Sequence, residues 1–84
     1  MSAPVPVHMI PALAKAVDMV ATHAKIRYAT DSGDVLTAHV RGFGRLTEDV
    51  NETLVRFTDD FSEWHIPLME MAQKINDGLM ALSR

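Results

Sequence analysis

Hydrophobic residues in the second half of the chain recur in alternating steps of three and four positions. Two series, offset by four residues, consist of Val50, Phe57, Trp64, Met71 and Gly78, and of Leu54, Phe61, Leu68, Ile75 and Leu82. A sustained 3-4 pattern is typical of a long helix that packs along a seam. Thr47 is a favourable N-cap residue for such a helix. The pattern predicts a helix over residues 47–83, with a kink where Pro67 removes a backbone donor.

The first half of the chain predicts an extended N-terminus followed by a second helix. Pro4 and Pro6 indicate that residues 1–9 are flexible. Pro11 suits the first turn of a helix, where its missing N–H has no cost. From residue 10 onward the apolar stripe consists of Ile10, Leu13, Val17, Val20 and Ala24. This spacing favours a helix over residues 10–41, with a defect near residues 31–34, where the sequence reads Asp-Ser-Gly-Asp.

The segment around that defect also admits a different structure. Ile26 and Tyr28 alternate with polar residues, as do Val35, Thr37 and His39, and Asp-Ser-Gly-Asp is suitable turn chemistry. The alternative to the continuous helix is therefore a small β-hairpin over residues 25–40. Because an isolated two-stranded hairpin is only marginally stable, the helix is the preferred interpretation.

The two predicted helices meet at residues 42–46, where Gly42, Phe43 and Gly44 form a candidate turn motif. A short glycine-containing connection is typical of antiparallel helices. The predicted fold class is therefore all-α, an antiparallel helical hairpin in a single domain over residues 1–84. Since a chain of 84 residues buries little surface alone, we expect the hairpin to dimerise into a four-helix bundle. The alternative fold class is α+β, with the hairpin at residues 25–40.

The second half also resembles the small WXG-type (ESX, early secreted antigen) proteins of type VII secretion. The resemblance lies in a Val-Arg-Phe start at residues 55–57, apolar residues at Leu68, Met71 and Ile75, and a Leu-Ser-Arg end at residues 82–84. Gly44 takes the place of the family's turn glycine, thirteen residues before Phe57. The resemblance implies a helical hairpin that dimerises and acts as a secreted substrate, chaperone or adaptor.

The residues expected to bind a protein partner are those of the heptad seam. They are Val50, Leu54, Phe57, Phe61, Trp64, Leu68, Met71, Ile75 and Leu82. Two helices alone leave part of such a seam uncovered, so its aromatic residues indicate an interface in a homo- or heterodimer. An ordinary hydrophobic core is the simpler explanation of the same stripe, and both hold if the core forms within a dimer.

The remaining composition argues against several classes of site. The chain has no cysteine, its four histidines share no metal-ligand spacing, and no nucleophile lies in a recognisable catalytic motif. We therefore expect no enzyme activity, cofactor, metal or small-molecule substrate. A net charge of −3 argues against nucleic acid, and the absence of a long apolar run argues against a membrane span. The expected location is the cytoplasm, with secretion without a cleavable signal peptide left open.

Two functions are consistent with these expectations. The first is a non-enzymatic helical-hairpin protein of a type VII secretion system. The second is a cytosolic protein-interaction module, such as an antitoxin or small regulator that neutralises a partner protein.

Overall fold

A computed structural model describes residues 4–83 and shows an α+β fold. In chain order, the elements are a short 3₁₀ turn at Val7–Met9, α1 at Ile10–Ala21, β1 at Lys25–Ala29, β2 at Val35–Arg45, β3 at Leu54–Thr58, β4 at Glu63–Pro67, α2 at Leu68–Asn76 and β5 at Met80–Leu82. The strands form one antiparallel sheet in the order β4-β3-β2-β1-β5. The expected all-α helical hairpin and its four-helix bundle are therefore wrong.

Both helices pack against the same face of the sheet. Ala16 and Met19 of α1 and Met71 of α2 are buried in one cluster with strand residues that include Ile26 and Phe57. A smaller cluster joins the two helices directly through Met9, Ala12 and Ala72. The protein thus has two layers, helices above and sheet below, which is the usual way for an α+β domain to bury one face of an antiparallel sheet.

Helix α1 begins at residue 10, as the sequence predicts, but ends at Ala21 instead of residue 41. Its end is a Schellman motif, in which the Ala24 N–H donates to the Met19 carbonyl and the His23 N–H donates to the Val20 carbonyl. Before α1, Met9 is the last residue of the 3₁₀ turn and is only 2% exposed, and the predicted flexibility of residues 1–9 stays a prediction. Residues 1–3 lie outside the described range.

The β-hairpin alternative is closer to the structure than the helix with a defect. Strands β1 and β2 pair from Lys25 with His39 to Ala29 with Val35. The Thr30 N–H donates to the Asp34 carbonyl and closes the turn, and Gly33 has a φ of 88° inside it. The hairpin is stable because it is not isolated: β3 extends it on one side and β5 on the other.

The predicted long helix over residues 47–83 is wrong, and the register of the β3–β4 hairpin explains why the sequence suggested it. Phe57 and Trp64 are seven residues apart because they are cross-strand partners in the β3–β4 hairpin. The seven-residue spacing before residue 68 therefore comes from the register of the β3–β4 hairpin. After residue 68 it comes from the helical period of α2, so the two together resembled one continuous heptad pattern. Pro67 does not kink a helix: it ends β4 and immediately precedes α2, where no N–H is required.

The predicted turn at residues 42–46 is also wrong. Gly42, Phe43 and Gly44 lie inside β2, where two irregularities in the pairing with β3 bend the strand. The connection between the halves is instead the loop from residue 46 to residue 53. This loop carries Val50 and is organised by the Thr53 hydroxyl, which bonds the backbone of Thr47.

The two helix ends provide a matched test of this architecture. Both have Schellman hydrogen bonds, but the left-handed residue is His23 (φ 52°) after α1 and Gly78 (φ 76°) after α2. We expect His23→Gly to raise the free energy of unfolding by about 0.5–1 kcal/mol and Gly78→Ala to lower it by about 1 kcal/mol, since the left-handed region penalises a Cβ. Urea denaturation of both variants measures this. Equal signs for the two changes would contradict the assigned backbone.

Candidate interaction surface on the open sheet face

The sheet has a second face that no element covers within residues 4–83. Exposure alternates along the strands: Ile26 in β1 and Val55 and Phe57 in β3 are buried under the helices, whereas Arg27 and Arg56 between them are exposed. The alternation follows from the strand geometry, which directs successive side chains to opposite faces. We call the side opposite the helices the open face.

The open face gathers positive charge on a chain that is acidic overall. The chain has eight Lys and Arg residues against eleven Asp and Glu. Five of the eight basic residues lie in three neighbouring strands, as Lys25, Arg27, Arg41, Arg45 and Arg56. Glu63 is the one acidic residue in the five strands described between residues 4 and 83. The sheet therefore separates a basic surface from the mostly acidic loops.

Two contacts orient the cations on this face. The Arg41 Nε donates to the Thr58 hydroxyl at 2.8 Å, which holds the guanidinium across β2 and β3. The Arg56 Nε lies 3.4 Å from the Glu63 carboxylate, and these two side chains remain 45% and 53% exposed. An exposed pair of this kind contributes little to stability, so Arg56 stays accessible to another carboxylate.

Two histidines complete the surface. His39 lies opposite Lys25 in β1 and Thr58 in β3, and His65 lies opposite Arg56. The His65 ring packs directly over Gly44, where a Cβ would overlap the ring atoms. The absence of a side chain at Gly44 therefore allows the His65 ring to approach the strand this closely, a role that differs from the turn expected from the sequence.

The β3–β4 turn borders the open face with acidic residues. A depression of about 500 Å³ lies beside it, with Lys25, His39 and Arg41 on one side and Asp59 and Asp60 on the other. The backbone N–H groups of Phe61 and Ser62 donate to the Asp59 carboxylate, and these hydrogen bonds lower its pKa. These hydrogen bonds hold the Asp59 carboxylate in the turn and favour its ionised form.

The aromatic residues of the strands lie on the helix side of the sheet. The Phe57 and Trp64 rings stack with centroids 5.9 Å apart and planes at 10°, and the Tyr28 ring is also 5.9 Å from Trp64, tilted by 55°. Partial burial, with a smaller effect of the Asp59 carboxylate, raises the pKa of Tyr28. The open face therefore carries none of the Phe, Tyr or Trp rings of the strands, and the imidazoles of His39 and His65 lie there among the cations.

The structure distributes the predicted seam over several elements. Phe57, Trp64, Leu68, Met71 and Ile75 come together in the hydrophobic core. The others do not join them: Phe61 is 95% exposed in the β3–β4 turn, Leu82 is 49% exposed in β5, Leu54 lies on the open face, and Val50 lies in the loop before β3. No continuous seam exists, and partner binding by any of these residues stays a prediction.

The sequence contains a pattern of alternating basic and apolar residues that indicates the basic face, and the heptad interpretation did not use it. Lys25 and Arg27 flank Ile26, and Arg56 lies between Val55 and Phe57. Basic residues that alternate with apolar ones at a period of two indicate a half-buried strand with a charged outer face. A helix would have spread these same residues around its circumference.

Other kinds of site find no support in the described part of the chain. No group of three or more His, Cys, Asp or Glu side chains within residues 4–83 is placed to hold a metal ion. No helix in that range is both long and apolar enough to cross a membrane.

Comparisons with known proteins add no function to this surface. No protein-family model matches the chain, and neither curated proteins nor solved structures give a match. The resemblance to WXG-type proteins is therefore wrong, because the fold is a sheet with two short helices and no family match supports it.

Proposed function

We propose that this protein is a non-enzymatic interaction module that binds an acidic protein segment on its open sheet face. The observation that supports the proposal is the concentration of five of the chain's eight basic residues in β1, β2 and β3, in a protein of net charge −3. Complementary charge steers a partner to such a surface and suppresses wrong partners. The proposal belongs to the class of small regulators or antitoxins, with a cytoplasmic location that stays a prediction.

A protein partner suits the face better than nucleic acid does. Proteins that bind single strands on a sheet stack bases on exposed aromatic rings. Here Phe57 is buried, and Tyr28 and Trp64 contact each other on the helix side. Phe61 is exposed at the border of the open face, but this single ring in a turn does not form the row of stacking rings that such proteins present across the sheet. Asp59 and Asp60 at the border of the face would also repel a long polyanion that runs past them, whereas a short acidic segment can bind without crossing that border.

A role in type VII secretion is not retained in this proposal. That role depended on a two-helix hairpin with a continuous seam, and the sheet replaces both. The interaction-module function needs neither, since it requires an accessible surface with a defined charge.

Reversing one cation on the open face tests the proposal. The probe is a fluorescein-labelled peptide of alternating glutamate and serine, with affinity measured by anisotropy at low salt. Arg27→Glu is expected to weaken binding by about fivefold, because an attraction becomes a repulsion and about 1 kcal/mol is lost. The matched control, Lys74→Glu, makes the same charge change on α2 and should leave affinity within about twofold of wild type.

Two results would overturn the proposal. An equal loss in both variants would show that only net charge matters, with no role for the open face. Tighter binding of an oligothymidylate than of the peptide, with the same sensitivity to Arg27→Glu, would assign the face to nucleic acid.

A further inference from the structure

Helix α1 carries a second apolar stripe on the side that faces away from the core. It follows steps of three and four and consists of Ile10, Ala14, Val17 and Ala21 in α1, preceded by Val7 in the 3₁₀ turn. All five residues are exposed, with Val7 at 80%, Ile10 at 53% and Val17 at 43%. The core side of the same helix uses Ala12, Ala16, Met19 and Val20 instead. A helix that is apolar on opposite sides is normally covered on both.

We propose that a second copy of this chain covers the outer stripe, with the two α1 helices packed antiparallel. Pairing them about a twofold axis between Ala14 and Val17 places Ala14 opposite Val17 and Ile10 opposite Ala21 of the other copy. Each row then sets a large side chain against a small one, which lets the helices approach closely and interdigitate. A parallel pair would set Ile10 against Ile10 and Ala14 against Ala14, with poor filling.

Charge on the flank of the stripe supports the same arrangement. Lys15 and Asp18 are both exposed and lie on one side of the stripe. In an antiparallel pair, equal flanks of the two helices face each other, so Lys15 approaches Asp18 of the second copy and the pair forms twice. A stripe that complements itself in shape and in charge identifies a second copy as the occupant. An unrelated partner would not require this symmetry.

The dimer concerns a different surface from the proposed function. The outer stripe is on the side of α1 that faces away from the core, and the open face is on the side of the sheet that faces away from the helices. Pairing through α1 therefore leaves both open faces accessible. Two acidic segments could then bind at once, and a bivalent partner would gain avidity. Since α1 has 12 residues and spans only about 18 Å, we expect a weak dimer with a dissociation constant of micromolar or above.

Sedimentation equilibrium over a concentration series tests the interface. Val17→Glu is expected to raise the dimer dissociation constant at least about tenfold, because it places two like charges in the interface between the two outer stripes. The matched control is Leu46→Glu, since Leu46 is 70% exposed in the loop between β2 and β3 and is not part of the stripe. Circular dichroism checks that both variants keep the wild-type fold. A charge exchange, Lys15→Asp with Asp18→Lys, should restore the association that either single change weakens.

Cysteine cross-linking tests the direction of the helices, and the chain has no native cysteine to interfere. Ile10→Cys with Ala21→Cys is expected to form a covalent dimer on mild oxidation. Within one chain these positions are about 16 Å apart along the helix, too far for a disulfide. Ile10→Cys alone should stay reduced. Faster cross-linking of the single variant, a monomeric wild type at millimolar concentration, or equal effects of Val17→Glu and Leu46→Glu would each contradict the proposal.

Discussion

Phe57→Ala is expected to lower the free energy of unfolding by about 3–5 kcal/mol, which would leave much of the protein unfolded. Phe57 is 0% exposed and lies in the core cluster contributed by the sheet and both helices. Its ring stacks on Trp64, so truncation leaves a cavity and removes an aromatic contact. Because Trp64 is the chain's one tryptophan, its fluorescence during urea denaturation reports the loss directly.

The control for Phe57 is Phe61, a residue of the same type in the same predicted seam. Phe61 is 95% exposed in the β3–β4 turn, so Phe61→Ala should change the free energy of unfolding by no more than about 0.5 kcal/mol. A continuous helical seam would make the two substitutions similarly damaging. Comparable losses for Phe57→Ala and Phe61→Ala would therefore contradict the sheet.

Thr53→Val is expected to lower the free energy of unfolding by about 1–3 kcal/mol, although the two side chains have nearly the same shape. Thr53 is 1% exposed, and its hydroxyl accepts from the Thr47 N–H at 3.2 Å while lying 3.2 Å from the Asp49 carbonyl. Valine removes these bonds and leaves the Thr47 N–H without that acceptor at a part-buried site. Denaturation by urea measures the loss, and hydrogen exchange of the Thr47 amide should accelerate.

Thr53→Ser separates the hydroxyl from the methyl group. It keeps the acceptor for Thr47 and removes one methyl, so we expect a loss of about 1 kcal/mol, smaller than that of valine. The backbone bond from the Leu68 N–H to the Thr53 carbonyl is unaffected in both variants. A valine variant as stable as the serine variant would show that the hydroxyl does not hold the loop between β2 and β3.

The sequence was informative where structure is determined locally. Pro11 and the apolar residues after it correctly placed the start of α1, and Asp-Ser-Gly-Asp correctly suggested a turn as one alternative. The end of α1 was missed because its Schellman motif uses His23 instead of glycine as the left-handed residue. Glycine is the usual residue at that position, so a histidine there does not indicate in the sequence that the helix ends.

The sheet was missed because its pairing is non-local. Strand β5 pairs with β1, as Met80 does with Tyr28, across most of the chain, and no periodicity reveals such a contact. In the β3–β4 hairpin the seven-residue separation of Phe57 and Trp64 imitated a heptad. The period-two alternation of Val55, Phe57, Trp64 and Ile66 was present, but the longer pattern outweighed it.

The basic face depends on the same non-local pairing. Lys25, Arg27 and Arg56 are scattered in the sequence and come onto one surface only when β1, β2 and β3 align. Composition indicated an acidic chain without a basic run, and this remains correct for the chain as a whole. A charge count cannot reveal that folding separates the two signs.

An NMR titration with the glutamate–serine peptide shows which surface of the protein binds an acidic segment. Backbone amide shifts follow each residue of the ¹⁵N-labelled protein as the peptide is added. If the open face is the interaction surface, the shifts concentrate on Arg27, Arg41, Arg56 and their neighbours in β1–β3, and they diminish as salt is raised. Shifts confined to α1 and α2, or spread evenly over both layers, would contradict an interaction surface on the open face.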